Sequence, residues 1–98
     1  MSYYANRAER LKLIAGLLAL AEFLTENEEV PAPKCIDVMV FPHESDDDAD
    51  CREVERIAAL IGATTQTSKA GHYLTSRAFG PVEYRAIAIP TNKREAHE

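Results

Sequence analysis

The sequence predicts an α+β fold in the order α-β-α-β-β-β, with two helices packed on a four-stranded mixed sheet that ends in an antiparallel meander. Three observations carry this. An apolar segment with helical periodicity opens the chain. A second helical pattern follows one apolar strand. Three strand-like runs, separated by glycine-containing turns, close it. One domain over residues 1–90 and a polar tail over 91–98 are expected.

The first helix is expected from about Ala5 to Glu26. At 100° per residue, Leu11, Leu13, Ile14, Leu17, Leu18, Leu20, Ala21 and Leu24 fall within one half of the helical wheel. That is wider than the roughly 100° stripe of a simple surface helix, so the helix is expected to cover the sheet and touch something else. Phe23 falls outside the stripe, beside Lys12, Gly16 and Ala19. Pro31 and Pro33 prevent the helix from continuing.

Lys34 to Phe41 alternates as a strand, with Ile36, Val38 and Val40 on one face and Cys35, Asp37, Met39 and Phe41 on the other. The second helix is expected over Asp47–Ile61, with Ser45 or Asp46 placed to cap it and Gly62 placed to end it. Its buried stripe reads Cys51, Val54, Ile57, Ala58 and Ile61. A threonine-rich strand over 63–68, a turn at Lys69-Ala70-Gly71, a strand over 72–79, a Gly80-Pro81 turn and a strand over 82–89 complete the domain. From Pro90 onward the chain is polar and without periodicity, and is expected to fray.

The net charge of −5 opposes general nucleic-acid binding. Two cysteines are too few for a disulfide scaffold. The apolar stretch Leu13–Leu24 runs only about a dozen residues, short of the roughly 20 a membrane span needs. It is preceded by Arg7, Glu9, Arg10 and Lys12, and no small-residue cleavage site follows it, so no signal peptide is expected and the protein is expected in the cytoplasm.

Three segments, Leu17-Leu18-Ala19-Leu20-Ala21-Glu22-Phe23-Leu24, Pro31-Ala32-Pro33 and Ser76-Arg77-Ala78-Phe79-Gly80, resemble a group of short uncharacterised proteins common in actinobacteria and their phages. The likeness spans most of residues 15–85 and consists of core and turn residues. It implies an accessory protein, of phage or host origin, and transfers no catalytic role.

Each candidate for chemistry has a structural competitor. Between Glu44 and Glu55 stand seven acids against Arg52 alone, so the chain's negative charge is concentrated here. The run could hold a metal or imitate nucleic-acid phosphates, but it lacks the sixth-position glycine and spaced ligands of an EF-hand. Acids at a helix start are favoured by the macrodipole at ~0.3–1 kcal/mol each, and that reading is preferred. Cys35, His43, Cys51 and His72 lack the paired spacing of structural zinc sites. Cys35 and Cys51 are expected on opposite sides of the sheet, buried and inert, with neither a metal nor a disulfide between them. His72 and Ser76 share a strand face roughly 13 Å apart, beyond nucleophile–base reach. A winged-helix reading fails because the second helix starts on aspartates where a recognition helix needs cations.

The hairpin offers the candidate site. A two-residue turn at Gly80-Pro81 pairs Phe79 with Val82, Arg77 with Tyr84 and Tyr73 with Ala88. Tyr73, Arg77, Phe79 and Tyr84 then share one face, and Leu74, Ile87 and Ile89 the other. If the helices cover the aliphatic face, the aromatic one is open, with the residue types that anchor protein interfaces. The alternative is that the aromatic face is the packed one. Phe23 is the second candidate, placed to be buried by a homodimer or another protein, or else folded onto Pro31–Pro33.

The expected function is a non-catalytic protein-interaction module without cofactor, metal, membrane or specific nucleic acid. The alternative is a small-ligand domain that takes a nucleotide or metabolite between the first helix and the sheet.

Overall fold

The computed structural model describes residues 4–90, so the expected polar tail over 91–98 lies outside the described residues. The architecture is α+β, with two helices and a four-stranded mixed sheet. The chain divides into two compact units, residues 1–34 and 35–98.

The first unit is built on α1, Arg7–Glu26. It begins in a capping box: Asn6 Oδ1 accepts the Glu9 N–H at 2.9 Å, and Glu9 Oε1 accepts the Asn6 N–H at 2.9 Å. Two of the orphan donors at the helix start are thereby satisfied. At the other end the Asn27 backbone and side-chain amides both donate to the Phe23 carbonyl. None of the residues of α1 is buried, and Leu11, Leu13, Ile14, Leu17, Leu18, Leu20 and Phe23 are all exposed.

The second unit holds β1 (Ile36–Val40), α2 (Asp47–Ile61), β2 (Thr65–Thr67), β3 (Tyr73–Phe79) and β4 (Val82–Ala88). The strand order is β1-β4-β3-β2. β4 runs parallel to β1 and antiparallel to β3, and β3 is antiparallel to β2, so the last three strands form the expected meander. The connection from β1 through α2 to β2 therefore carries the chain from one sheet edge to the other. That crossing lays α2 over β3 and β4.

Asp46 caps α2, its Oδ1 accepting the Ala49 N–H at 2.7 Å. Gly62, at φ +71°, ends it, with Gly62 N–H to Ala59 O and Ala63 N–H to Ala58 O closing a Schellman motif. The buried positions of α2 are Asp50, Val54, Ile57 and Ala58, spaced to face the sheet together. They meet a face on which Thr75, Ala86 and Ala88 are buried. The two alanines of β4 admit the helix closely, and fully buried Thr75 satisfies its hydroxyl by donating to the Thr64 carbonyl at 2.9 Å.

The Gly80-Pro81 turn gives the expected pairing of Phe79 with Val82. Gly80 sits at φ +63°, and proline at the next position permits only negative φ. Of the two turns that match strand twist, only type II′ accepts that combination. Replacing Gly80 by valine puts a β-branched side chain at this positive φ. Thermal unfolding should show a loss of about 1–2 kcal/mol, against little change for an exposed strand substitution such as Gln66→Thr.

Candidate interaction surface

The hairpin register places Arg77 opposite Tyr84 and Tyr73 opposite Ala88, so Tyr73, Arg77, Phe79 and Tyr84 share one face as the alternation requires. The face that α2 covers, however, is this aromatic one, which corrects the expectation of an open aromatic surface. The Tyr73 hydroxyl donates to Glu55 Oε2 on α2 at 2.9 Å and is hydrogen-bonded to Thr65 Oγ1 at 2.8 Å. Arg77 reaches the Ile61 carbonyl at the end of α2 at 3.5 Å. No basic residue lies in the last turn of α2, so a strand supplies the cation that its negative C-terminal end attracts.

The other site residues divide by distance from α2. Tyr84 is half-buried. Phe79 remains exposed, with the Arg77 guanidinium 4.9 Å from its ring centroid. Phe79, Val82 and Ile36 form an exposed apolar edge on the turn end of this face. Phe23, on α1, is exposed, and so are Leu11, Leu13, Leu17, Leu18 and Leu20 of the stripe it falls outside.

Within residues 35–98, the opposite sheet face carries no helix among the described residues. It presents Asp37 and Met39 from β1, Glu83, Arg85 and Ile87 from β4, and Leu74 and Ser76 from β3. Ile87 is nonetheless buried, with Leu74 directly across from it. Glu83 is held below the usual carboxylate range, chiefly by a hydrogen bond from Ser76 and then by Arg85, whose Nη2 lies 3.3 Å from Glu83 Oε1. A depressed folded-state pKa contributes stability above the unfolded value and loses it as pH falls through the folded value. Glu83→Gln should therefore lose that contribution at pH 7 and converge on the wild type as pH falls below about 4.3, so that its acid limb is flatter. Identical acid limbs would contradict the pairing.

The acidic run is largely used in building the start of α2. Asp46 caps the helix, and buried Asp50 accepts the Glu44 N–H at 2.7 Å. Sequence periodicity missed Asp50 because it places an acid on the apolar stripe; the signal available was the short connection over 41–46 between β1 and α2, whose backbone donors need partners. Among the described residues no group of three or more His, Cys, Asp or Glu is arranged to hold a metal ion.

Both cysteines are free, but only Cys51 is partly covered. Cys35 is exposed, which corrects its expected burial: it precedes β1 and lies outside the ladder. Burial, and then the charges of Asp48, Asp47, Asp50 and Glu55, push the Cys51 thiol up from its ordinary pKa. Less of it is thiolate at any pH below that range. Alkylation at pH 8 followed by mass spectrometry should thus modify Cys35 first, with Cys51 lagging until the protein unfolds. Equal native rates would contradict the placement of both.

No helix among the described residues is long and apolar enough to cross a membrane. No family model, curated protein or solved structure matches the chain.

Proposed function

We propose that the protein is a non-catalytic interaction module, an accessory protein that acts by binding another protein. The observation that carries this reading is α1. Leu13, Leu17, Leu20 and Phe23 are each about half exposed on it, at 54%, 47%, 45% and 48%. Large apolar side chains crowded onto one helix exceed the scattered exposure that a protein surface ordinarily shows, and such crowding marks interaction surfaces. A helix that lays an apolar face into another protein is a recurrent recognition mode.

Phe23→Ala should weaken this association while leaving the melting temperature nearly unchanged. A phenylalanine in a packed core would instead cost about 3–5 kcal/mol on truncation. Sedimentation of both proteins beside their melting curves separates the outcomes. The reading itself is tested by placing a photo-reactive phenylalanine analogue at position 23 of the full chain, in the cells that express it. Covalent adducts with protein are expected. A chain that gives no protein adduct, and whose melting temperature instead rises with nucleotides or metabolites, would overturn it.

A further inference from the structure

The charges of α1 run the wrong way for a lone helix. A helix macrodipole favours acids at the N-terminus and bases at the C-terminus. Here Arg7, Arg10 and Lys12 occupy the first two turns, where Glu9 is the single acid and is engaged in the capping box. Glu22 and Glu26 lie toward the C-terminus, Glu28 and Glu29 follow just beyond, and the last turn has no base. Each end therefore carries charge of the sign that its own dipole disfavours.

The apolar residues have a matching order. Leu13, Leu17, Leu20 and Leu24 are spaced by four, three and four residues, the a/d spacing of a helix–helix seam. Gly16 and Phe23 flank this seam on one side; Ile14 and Ala21 flank it on the other. A β-carbon added at Gly16 would meet nothing within 4 Å, so the space beside it is open. Both flanks pair a large residue with a small one.

From these observations we infer that α1 pairs antiparallel with α1 of a second copy of the chain. This rests on the interaction reading and names its partner. With a two-fold axis passing between Leu17 and Leu20, Leu13 of each copy meets Leu24 of the other, and Leu17 meets Leu20. Phe23 of each copy fills the gap at Gly16 of the other, and Ile14 packs on Ala21. Arg7 and Arg10 come beside Glu26, Glu28 and Glu29 of the second copy, at both ends of the pair. A parallel pair would set the cationic ends side by side and the acidic ends side by side, and would turn the Gly16–Phe23 flank of one helix toward the Ile14–Ala21 flank of the other, away from its own complement. The interface is isologous, as in most homodimers. Leu11 and Leu18 lie outside the seam and stay uncovered.

Two charge-swapped full-length chains test the pairing by analytical ultracentrifugation over a range of concentrations. The first carries Arg7→Glu and Arg10→Glu; the second carries Glu26→Lys and Glu28→Lys. Both changes suit the dipole of α1, so neither should unfold it; far-ultraviolet circular dichroism checks this. Wild type is expected to be a dimer whose affinity falls with added salt. Each variant alone should self-associate roughly tenfold more weakly or worse, since attraction becomes repulsion at both ends. An equimolar mixture should recover heterodimers of about wild-type affinity, because opposite charges again face each other. A wild type that stays monomeric overturns the pairing, as does self-association untouched by the swaps or a mixture that fails to recover it. A monomer whose position 23 still photo-labels a different protein loses this inference and keeps the interaction reading. Absence of any protein adduct removes both.

Discussion

Replacing Ile57 by alanine should lower the stability of residues 35–98 by about 2–5 kcal/mol, while the same truncation at Leu60 should cost about 0.5 kcal/mol or less. The two residues lie three positions apart on α2 and differ in what surrounds them. Ile57 is 5% exposed and Leu60 71% exposed. Truncating Ile57 removes methyl groups from a layer formed with Val54, Ala58 and the alanines of β4, and leaves a cavity that two packed elements cannot readily close. A domain of this size has only about 5–15 kcal/mol of total stability, so the melting temperature should fall by roughly 10 °C or more. Calorimetry of the two variants beside the wild type measures the difference. Equal losses at both positions would mean that α2 presents another face to the sheet.

Asp50→Ala should cost about 1–3 kcal/mol, far more than loss of an acid one turn-face away, Asp48→Ala, at about 0.5 kcal/mol. Asp50 is buried, and its carboxylate accepts the Glu44 N–H across the bend that leads from β1 into α2. Removing it strands that donor and loosens the entry to the helix. Asp48 is exposed and contributes chiefly through the helix dipole. Asp50→Asn retains an oxygen acceptor and should fall between the two. Chemical denaturation at pH 7 ranks the three; Asp48→Ala as damaging as Asp50→Ala would remove the bracing role assigned to Asp50.

Most elements of the fold were legible because they depend on neighbours in sequence. Asp46 and Gly62 bound α2 as expected, since a cap and a left-handed terminator act within one turn. The meander register followed from Gly80-Pro81, because that dipeptide accepts one hairpin turn. The capping box that starts α1 at Asn6 was equally local and could have been read from Asn6 and Glu9. The strands came out shorter than expected at their ends: β1 begins at Ile36 and β2 spans three residues, because pairing partners and not side-chain alternation decide where a ladder stops.

The candidate site was less legible. Alternation grouped Tyr73, Arg77, Phe79 and Tyr84 correctly, yet it is blind to which group faces a helix. That choice depended on polar partners distant in sequence: Glu55 for the Tyr73 hydroxyl and the Ile61 carbonyl for Arg77. Those contacts let amphipathic side chains serve a packed face, where composition suggested an open one.

By itself, the sequence determined the element order, the helix ends, the turn chemistry and the hairpin register, all of which are set by backbone preferences and periodicity over a few residues. Only the tertiary structure decided that β4 lies between β1 and β3, that α2 covers the aromatic face, and that Asp50 is buried while Cys35 is exposed. The physical reason is that these outcomes minimise unsatisfied polar groups and uncovered apolar area across segments far apart in the chain, a balance that no local pattern encodes.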